Sequence, residues 1–291
     1  MSNGPHYKAS VIVPTFDRSG TVADSVHSLA AQTGPRDEFE VIVVDDGSHD
    51  DTFEAVTTTG AELNLKYLYQ PDRGYRAARA RNLGIAVAEG EICIFLDAGN
   101  LATSGFVAAH IAAHAAGPNR IAVGYIYGFF STYDDQRVED VQRLLDPRDV
   151  DGSLSRFRED GTMADAREGV FQTLGDDLSK ARAPWVYCFG GNVSAPTALI
   201  RKAGGWDENY QSWGDDDLDF ALSLQNAGGS YVLCRDGVAI QTPHEKNAAT
   251  RQASHRKNAR YLHSKFNTPE TALLEECGWR RMPLLPEGVQ P

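Results

Sequence analysis

The chain of 291 residues is long enough to bury a full core without disulfide or metal staples. Its 28 Lys and Arg residues against 40 Asp and Glu residues give a formal net charge of −12, which argues against a broad nucleic-acid-binding face and against a polybasic membrane dock. A nucleotide ligand is compatible with this charge, because it needs only a few local donors.

The cysteines and the apolar runs predict where the protein works. None of the four cysteines forms a CxxC pair, and three lie in apolar runs, which is typical of reduced, buried thiols. Residues 1–10 lack the layout of a signal peptide, and no apolar stretch approaches the ~20 residues that span a bilayer. We predict a cytoplasmic protein without a transmembrane segment and leave open whether it forms a homodimer.

Apolar runs alternate with helical stretches through the first half of the chain. Strands are predicted at 10–14, 39–44, 65–69, 91–96 and 121–127, and helices at 19–32, 50–59, 75–89 and 105–115. Nearly all-apolar strands separated by helices predict an α/β fold, with a mostly parallel central sheet flanked by helices on both faces. Ligands bind such sheets beyond the carboxyl ends of the strands, where Asp45, Asp46 and Asp97 fall.

We predict one domain over residues 1–291, in four parts. Residues 8–130 form the nucleotide-binding half, and 184–266 form the half that binds the acceptor and carries the catalytic residues. Between them, 131–183 is rich in Asp, Arg and Glu and is predicted as a variable lid or acceptor segment with short helices. Residues 267–291 form a C-terminal tail.

Two motifs in the first half suit a nucleoside diphosphate. Residues 43–52 (VVDDGSHDDT) place Asp45 and Asp46 at a strand end, where carboxylates can accept hydrogen bonds from a base and a ribose. Residues 72–84 (DRGYRAARARNLG) place Arg76 and Arg79 on one helix face, near a helix start that suits phosphate. The structural alternatives are turn and helix capping for the first motif and a solvated basic face for the second.

Carboxylates mark two further positions. In the run FLDAGN, Asp97 follows a buried strand, where it can hold a ribose hydroxyl or a divalent metal or can merely end the strand. Four Asp residues within 215–219 crowd the start of a predicted helix. The helix dipole favours their charge, whereas their mutual repulsion raises at least one pKa, as a general base requires. The alternative is an acidic first turn that only caps the helix.

These segments, in this order, resemble a family-2 glycosyltransferase with the GT-A fold. The matching segments are 13–15 (VPT), 44–48 (VDDGS), 74–82 (GYRAARARN), 95–97 (FLD), 190–192 (GGN), 205–207 (GWD) and 213–219 (WGDDDLD). The last two resemble the C-terminal half of bacterial galactosyl- and N-acetylgalactosaminyl-type transferases. Spanning residues 8 to 245 or so, the resemblance implies sugar transfer from a nucleoside-diphosphate sugar, expected to be UDP-linked, to an acceptor that the sequence does not identify.

The resemblance also implies which residues bind the donor. The implied donor-binding residues are Pro14, Thr15, Asp45, Asp46, Arg76, Arg79 and Asp97. Asp97 would also bind Mn²⁺ or Mg²⁺ on the diphosphate, with His244 as a further metal ligand. The family's Asp-x-Asp motif is here Asp97-Ala98-Gly99, so its second carboxylate is missing. Metal binding is therefore expected to be weakened or dispensable, and Asn100 offers only a neutral oxygen.

The implied catalytic residues lie in the second half. Asp217 matches the general base of the family's Glu-Asp pair, and Asp216 stands in for the Glu. The base would take the acceptor proton in a single displacement with inversion. Trp206 and Trp213 are expected to form a wall for the sugar or the acceptor, with core packing as the alternative.

Three other functions stay open at this point. A nucleotidyltransferase would need glycines after the first strand, which residues 14–18 (PTFDR) do not supply. A non-catalytic nucleotide-sugar-binding protein gains weight from Gly99 and loses it from the Asp216-Asp217 pair. A structural, partner-binding domain would bind no nucleotide.

Overall fold

The computed structural model describes residues 6–129, 135–243 and 248–285. The strands in these ranges are β1 (Tyr7–Thr15), β2 (Phe39–Asp45), β3 (Leu65–Tyr69), β4 (Gly90–Leu96), β5 (Asn100–Ala102), β6 (Arg120–Tyr127), β7 (Asn192–Pro196) and β8 (Ser230–Gln241). All five predicted strands are present, together with three that the apolar runs did not reveal.

Helices separate most of these strands. They are α1 (Ser19–Ala30), α2 (Thr52–Thr59), α3 (Ala77–Val87), α4 (Phe106–Ala115), α5 (Asp135–Leu144), α6 (Val150–Asp160), α7 (Glu168–Leu174), α8 (Thr197–Ala203), α9 (Asp216–Asn226), α10 (Ala248–Phe266) and α11 (Pro269–Cys277). The four helices predicted in the first half are confirmed, with ends displaced by up to two residues. Both α2 and α3 begin two residues later than the sequence suggested.

The strands form one eight-stranded sheet in the order β3-β2-β1-β4-β7-β6-β8-β5. β1 pairs in parallel with β2 and β4, β2 with β3, and β6 with β8. β7 runs antiparallel to both β4 and β6, and β5 runs antiparallel to β8. The predicted α/β fold with a mostly parallel sheet is therefore confirmed.

Alternating side chains of the strands pack into two hydrophobic cores, one on each face of the sheet. Along β1, Val11 and Val13 pack with the cluster that α1, α2 and α4 cover. Ile12, between them, packs with the cluster that α3, α8 and α9 cover. A parallel sheet needs cover on both faces, which explains why these strands are almost entirely apolar.

The acidic segment between the two halves folds as short helices, as predicted. It includes α5, α6 and α7, and Phe157 and Phe171 bury their rings from this segment. Arg167 is fully buried and joins the segment to the sheet, pairing with Asp165 at 2.6 Å and donating to Gly124 O at 2.9 Å. The four-part division of the chain and the lid or acceptor role of this segment stay predictions.

Two other expectations concern thiols and membranes. The four cysteines are free thiols, three of them buried and Cys277 half-buried. Across the ranges given above, no helix combines the length and the apolar character needed to cross a membrane. The cytoplasmic location stays a prediction.

Candidate active site

The carboxyl ends of β1, β2 and β4 meet at one edge of the sheet. Thr15 lies opposite Asp45 in the parallel register, and the Asp46 N–H donates to Thr15 O at 2.9 Å. Since Asp97 follows β4 on the other side of β1, the topology brings the predicted donor-binding residues to a common edge. This is the edge at which open α/β sheets bind ligands.

The two adjacent carboxylates of the first motif have different surroundings. Asp45 is buried, and its Oδ1 accepts from Gly47 N at 3.0 Å and Ser48 N at 2.7 Å, which holds the turn. Its Oδ2 accepts from the Tyr67 hydroxyl. With both oxygens engaged inside the protein, Asp45 fits the turn-holding alternative, and Asp46 is the better placed of the two to meet a base.

Asp46 organises the entrance to α3. Its Oδ2 accepts from Arg76 N at 2.9 Å, and its Oδ1 accepts from Gln70, a residue that the sequence analysis did not single out. Burial raises the pKa of Asp46, and the bonds from Gln70 and Arg76 oppose that rise. Arg79 donates to Gln70 Oε1 at 3.1 Å, so Gln70 ties the predicted base-binding carboxylate to the predicted phosphate-binding arginine.

Near this group, two polar atoms are buried without a partner among the described residues. They are the hydroxyl of Thr15 and the Nε of Arg76. Buried polar atoms are rarely left unpaired, so each is a candidate for a hydrogen bond to a bound ligand. Pro14 lies beside them, half-buried at the end of β1.

A third arginine of α3, Arg81, connects the two halves of the protein. Its Nη2 lies 2.8 Å from Asp97 Oδ1, and its Nη1 lies 3.2 Å from Asp216 Oδ2. Burial opposes the charge on Arg81, but Asp97 and Asp216 together hold its pKa above the usual value. A permanent cation therefore lies between the carboxylate that ends β4 and the first acid of α9.

The sequence analysis did not propose Arg81 as a site residue. The signal was its spacing on α3, where Arg81 lies three residues after Ala78 and four before Ile85, both of them buried. That spacing puts Arg81 on the apolar face of the helix. An arginine on an apolar face needs a buried anion, and the acidic run of 215–219 was available as its partner.

The ring of Trp206 packs against the guanidinium of this arginine. The Arg81 guanidinium lies 4.3 Å from the centre of the Trp206 ring, which itself stacks on Phe220 with centroids 4.2 Å apart. Trp206 is only 2% exposed, so it packs in the core, which was the alternative for this residue. Trp213 is 44% exposed and is the one of the two tryptophans that is open to a sugar or an acceptor.

The acidic run divides into two pairs at the start of α9. Asp215 pairs with His255, and Asp219 pairs with Lys265 at 2.8 Å, so both have cationic partners outside the centre of the site. Asp216 and Asp217 lie between them, on the side of Arg81. Gly214 and Asp215 both have positive φ, at +101° and +63°, and this sharp turn places Asp216 and Asp217 at the very beginning of the helix.

Asp217 has the surroundings that a general base needs. It is half-buried, and its Oδ1 accepts from Leu218 N at 3.0 Å in the first turn of α9. Burial, followed by repulsion from Asp216 and Asp215, raises the pKa of Asp217 to about 8, and Arg81 opposes the rise. Burial also raises the pKa of Asp216, against the attraction of Arg81. A carboxylate with such a pKa is a much stronger base than a solvated one.

Asp97 is the carboxylate of the candidate site that a divalent metal could reach. Asp97 is 43% exposed, whereas Asn100 is buried and donates its side-chain amide to Gly191 O at 2.7 Å. Within the described ranges, no three His, Cys, Asp or Glu side chains gather into a group that could hold a metal. Mg²⁺ sites often use one or two carboxylates with substrate phosphates, so Asp97 fits an ion that the donor diphosphate completes. His244 lies outside the described residues.

Comparison with known proteins identifies the class of protein. The family model described as "Glycosyl transferase family 2" matches residues 10–164. Validoxylamine A glucosyltransferase of Streptomyces hygroscopicus subsp. jinggangensis is 32% identical over 93% of this chain, which spans 63% of that relative's length. The uncharacterized glycosyltransferase YfnE of Bacillus subtilis is 31% identical over 89% of this chain and 71% of its own length.

Solved structures agree in fold. TarS 1-349 of S. aureus in complex with UDP-GlcNAc has a TM-score of 0.60 at 19% identity, covering 92% of this chain and 75% of that one. The mannosyltransferase PcManGT from Pyrobaculum calidifontis, in complex with GDP-Man and Mn²⁺, has a TM-score of 0.58 at 21% identity, covering 90% of this chain and 65% of that one.

Fold and comparisons together define a member of glycosyl transferase family 2 with the GT-A fold. The chain belongs to glycosyl transferase family 2. The finer resemblance of its C-terminal half to galactosyl- and N-acetylgalactosaminyl-type transferases stays a prediction.

Proposed function

We propose that this enzyme transfers a sugar from a UDP-sugar to an acceptor hydroxyl with inversion, and that Asp217 is the general base. The observation that carries the proposal is the buried Arg81, which bridges Asp97 and Asp216 and so places the donor-side carboxylate next to the acid pair of α9. The complex of TarS with UDP-GlcNAc and the name of the validoxylamine A glucosyltransferase support a UDP-linked hexose as the donor.

The donor would lie along the strand ends. Asp46 and Thr15, flanked by Pro14, are proposed to hold the base, while Arg76 and Arg79 reach towards the diphosphate from the start of α3. The N-terminus of α3 adds a favourable partial charge for phosphate. Asp97 is proposed to contact the ribose.

Asp97 would also hold Mn²⁺ or Mg²⁺ together with oxygens of the donor diphosphate, and the ion would stabilise the negative charge of the departing diphosphate. The complex of PcManGT with Mn²⁺ supports a metal in this protein. Arg81 lies 2.8 Å from the same carboxylate and carries a permanent positive charge, so part of the charge stabilisation is built into the protein. Preorganised charge of this kind is worth about 3–4 kcal/mol in other enzymes.

The proposed reaction is a single displacement. Asp217 takes the proton of the acceptor hydroxyl while the hydroxyl oxygen forms a bond to the anomeric carbon. The bond from that carbon to the diphosphate oxygen breaks on the opposite face, and UDP leaves with the electron pair.

Asp217→Asn tests the proposal directly. We expect the variant to lose turnover, measured as UDP release from UDP-glucose and UDP-GlcNAc, while UDP still raises its melting temperature as in the wild type. Asp236→Asn, on the exposed side of β8, is the matched control for replacing an acid by an amide. Near-normal turnover of Asp217→Asn would remove Asp217 as the base.

A non-catalytic nucleotide-sugar-binding protein is the second candidate. Gly99, in place of the family's second motif carboxylate, is the observation that favours it. A wild-type protein that binds UDP and releases none from any UDP-sugar, with or without Mn²⁺, would establish this alternative.

A further inference from the structure

Helix α10 holds the segment that leads into α9 by side-chain hydrogen bonds and ion pairs. The residues of α10 that make these bonds are three, three and four positions apart, so they share one face of the helix. They are His255, Asn258, Tyr261 and Lys265. His255 bonds to Asp215, and Asn258 donates to the backbone carbonyls of residues 212–214. Tyr261 donates to Asp207, and Lys265 donates to both Asp207 and Asp219. The start of the proposed catalytic helix is therefore held from outside by one other helix.

The contact nearest to the acid pair is the one between His255 and Asp215. His255 Nδ1 lies 2.8 Å from one carboxylate oxygen of Asp215 and 3.0 Å from the other. Asp215 is 5% exposed, and a buried carboxylate is unstable without a cationic or hydrogen-bonding partner. The hydrogen bond to Asp215 is the main cause that raises the pKa of His255.

Both residues also act on Asp217 through their charges. Asp215 and Asp216 repel the charge of Asp217 from its own helix, and Arg81 attracts it from α3. After the hydrogen bond and the charge of Asp215, the charge of Asp217 also contributes to raising the pKa of His255. Burial raises the pKa of Tyr75 and of Cys188, and the charge of Asp217 adds to both rises.

We propose that His255 is a positioning residue for the general base: in its protonated form it holds Asp215 against the start of α9 and cancels the repulsion that Asp215 exerts on Asp217. The proposal rests on the proposed function, because it takes Asp217 as the base. His255 itself does not touch the reacting atoms. It acts through Asp215, and the pair has no net charge while both members are ionised.

The charges around Asp217 predict how each substitution changes the pH dependence of turnover. Burial raises the pKa of Asp215 and His255 opposes that rise. Where Asp215 stays ionised, His255→Gln leaves it as an uncompensated anion, so the acidic limb of kcat/KM for UDP release should move to higher pH. Adding Asp215→Asn restores the neutral balance and should return the limb towards its wild-type position. Asp215→Asn alone should leave the limb at the wild-type position or lower it.

The experiment compares the wild type, both single variants and the double variant between pH 5 and 9, using UDP release from a UDP-sugar that the wild type turns over. His263→Gln is the matched control, because His263 is on the same helix but bonds to Thr271 Oγ1 of α11 at 2.9 Å. This control should keep the wild-type limb. Asn tolerates the left-handed backbone of Asp215, at φ +63°, so Asp215→Asn is expected to fold.

Rescue of the limb by the second substitution would support the proposal, since a merely structural contact does not set the pH at which turnover is lost. A limb that stays in place in His255→Gln, or that moves without rescue, would overturn it. A proton titration of the histidine ring by NMR gives a test without turnover: because the hydrogen bond to Asp215 raises the pKa of His255, the proton of His255 should be lost at a lower pH in Asp215→Asn than in the wild type.

The NMR titration also separates the two hypotheses. A wild type without turnover sinks the proposed function, while an unchanged His255 titration in Asp215→Asn sinks the pairing. A variant of His255 that fails to fold leaves this titration as the deciding measurement.

Discussion

His110 lies in a buried chain of hydrogen bonds between α4 and β7 whose proton positions the structure fixes. Asn192 Nδ2 donates to two backbone carbonyl oxygens, at 3.1 and 2.8 Å, so Asn192 Oδ1 accepts from His110 Nε2 at 2.9 Å. His110 Nδ1 therefore carries no proton and accepts from Ser194 Oγ at 2.8 Å. His114 Nε2 then donates to the same oxygen at 2.8 Å. A second proton on His110 would remove the hydrogen bond that Ser194 donates to Nδ1.

This arrangement makes the protein sensitive to acid. Burial lowers the pKa of His110 to about 3 and that of His114 to about 4. Unfolding exposes both rings at their ordinary pKa near 6.5, so the unfolded state binds more protons below that pH. The free energy of unfolding must then fall as the pH drops. From pH 6.5 to 5, at about 1.36 kcal/mol per unit, the loss from His110 alone is about 2 kcal/mol.

Comparison of His110→Gln with the wild type isolates this contribution. Gln cannot be protonated, so the variant should lose about 2 kcal/mol less than the wild type when unfolding in urea is compared at pH 8 and pH 5. The informative quantity is the difference between the two proteins in how much unfolding free energy they lose between pH 8 and pH 5. The raised pKa of Asp217 favours the folded state as the pH falls, which opposes the histidine effect in both proteins. His27→Gln, on half-buried His27 of α1, controls for the loss of a histidine.

The absolute stability of His110→Gln at pH 8 does not decide the matter, since lost hydrogen bonds lower it by about 1–3 kcal/mol in any case. Equal losses between pH 8 and pH 5 in the variant and the wild type would refute the neutral, buried state of His110. A smaller loss in His27→Gln than in the wild type would place the acid sensitivity outside the chain of hydrogen bonds.

Three further predictions concern the site and the sheet. Arg81→Met leaves Asp216 buried without its cation and should lower the free energy of unfolding by about 3–5 kcal/mol in urea; a loss below 1 kcal/mol would contradict the buried pair. Because Asp217 must be ionised to act as a base, kcat/KM should rise with pH up to about 8, and a flat profile between pH 5 and 9 would contradict this role. Gly124→Ala places a Cβ 2.0 Å from Asn192 Oδ1 and should lower the free energy of unfolding, again measured in urea, by about 1–3 kcal/mol.

The first half of the fold followed from local patterns. Val41 to Val44 and Ile92 to Leu96 are uninterrupted apolar runs, and such runs between helices predict parallel strands wherever they occur. β7 was not visible in this way, because Asn192 and Ser194 are polar. Their burial depends on His110 and His114, which lie some 80 residues away in the chain. Pairing between distant residues of this kind leaves no periodic pattern in a sequence.

Residue type singled out the candidate site residues, and their roles stay predictions. The acidic run at 215–219 drew attention as a group, but its division into structural and reactive acids depends on His255 and Lys265 of α10. Likewise only tertiary contacts distinguish Arg81, which is buried between Asp97 and Asp216, from Arg76 and Arg79, whose donor-binding role stays a prediction. Sequence spacing places residues on a helix face, whereas the partner of that face is set by the fold.

The backbone around Gly99 leaves little room for the second carboxylate of the family's Asp-x-Asp motif. Gly99 has φ of +97°, its N–H donates to Ser25 Oγ at 2.9 Å, and its carbonyl accepts from Thr242 N at 2.7 Å. A Cβ at this position would lie 2.9 Å from Thr242 Oγ1 and 3.0 Å from Thr21 Cγ2. A second carboxylate therefore does not fit the backbone that surrounds Asp97.

Gly99→Asp should thus fail to create a stronger metal site. We expect it to lower the free energy of unfolding by about 1–3 kcal/mol and to leave the Mn²⁺-dependent rise in melting temperature with UDP no larger than in the wild type. Gly161→Asp is the matched control, since Gly161 also has positive φ, at +72°, but has open space around it. If Gly99→Asp were as stable as this control and bound UDP with Mn²⁺ more tightly than the wild type, the backbone would not be what excludes the carboxylate, and the metal site would be limited only by its missing ligand.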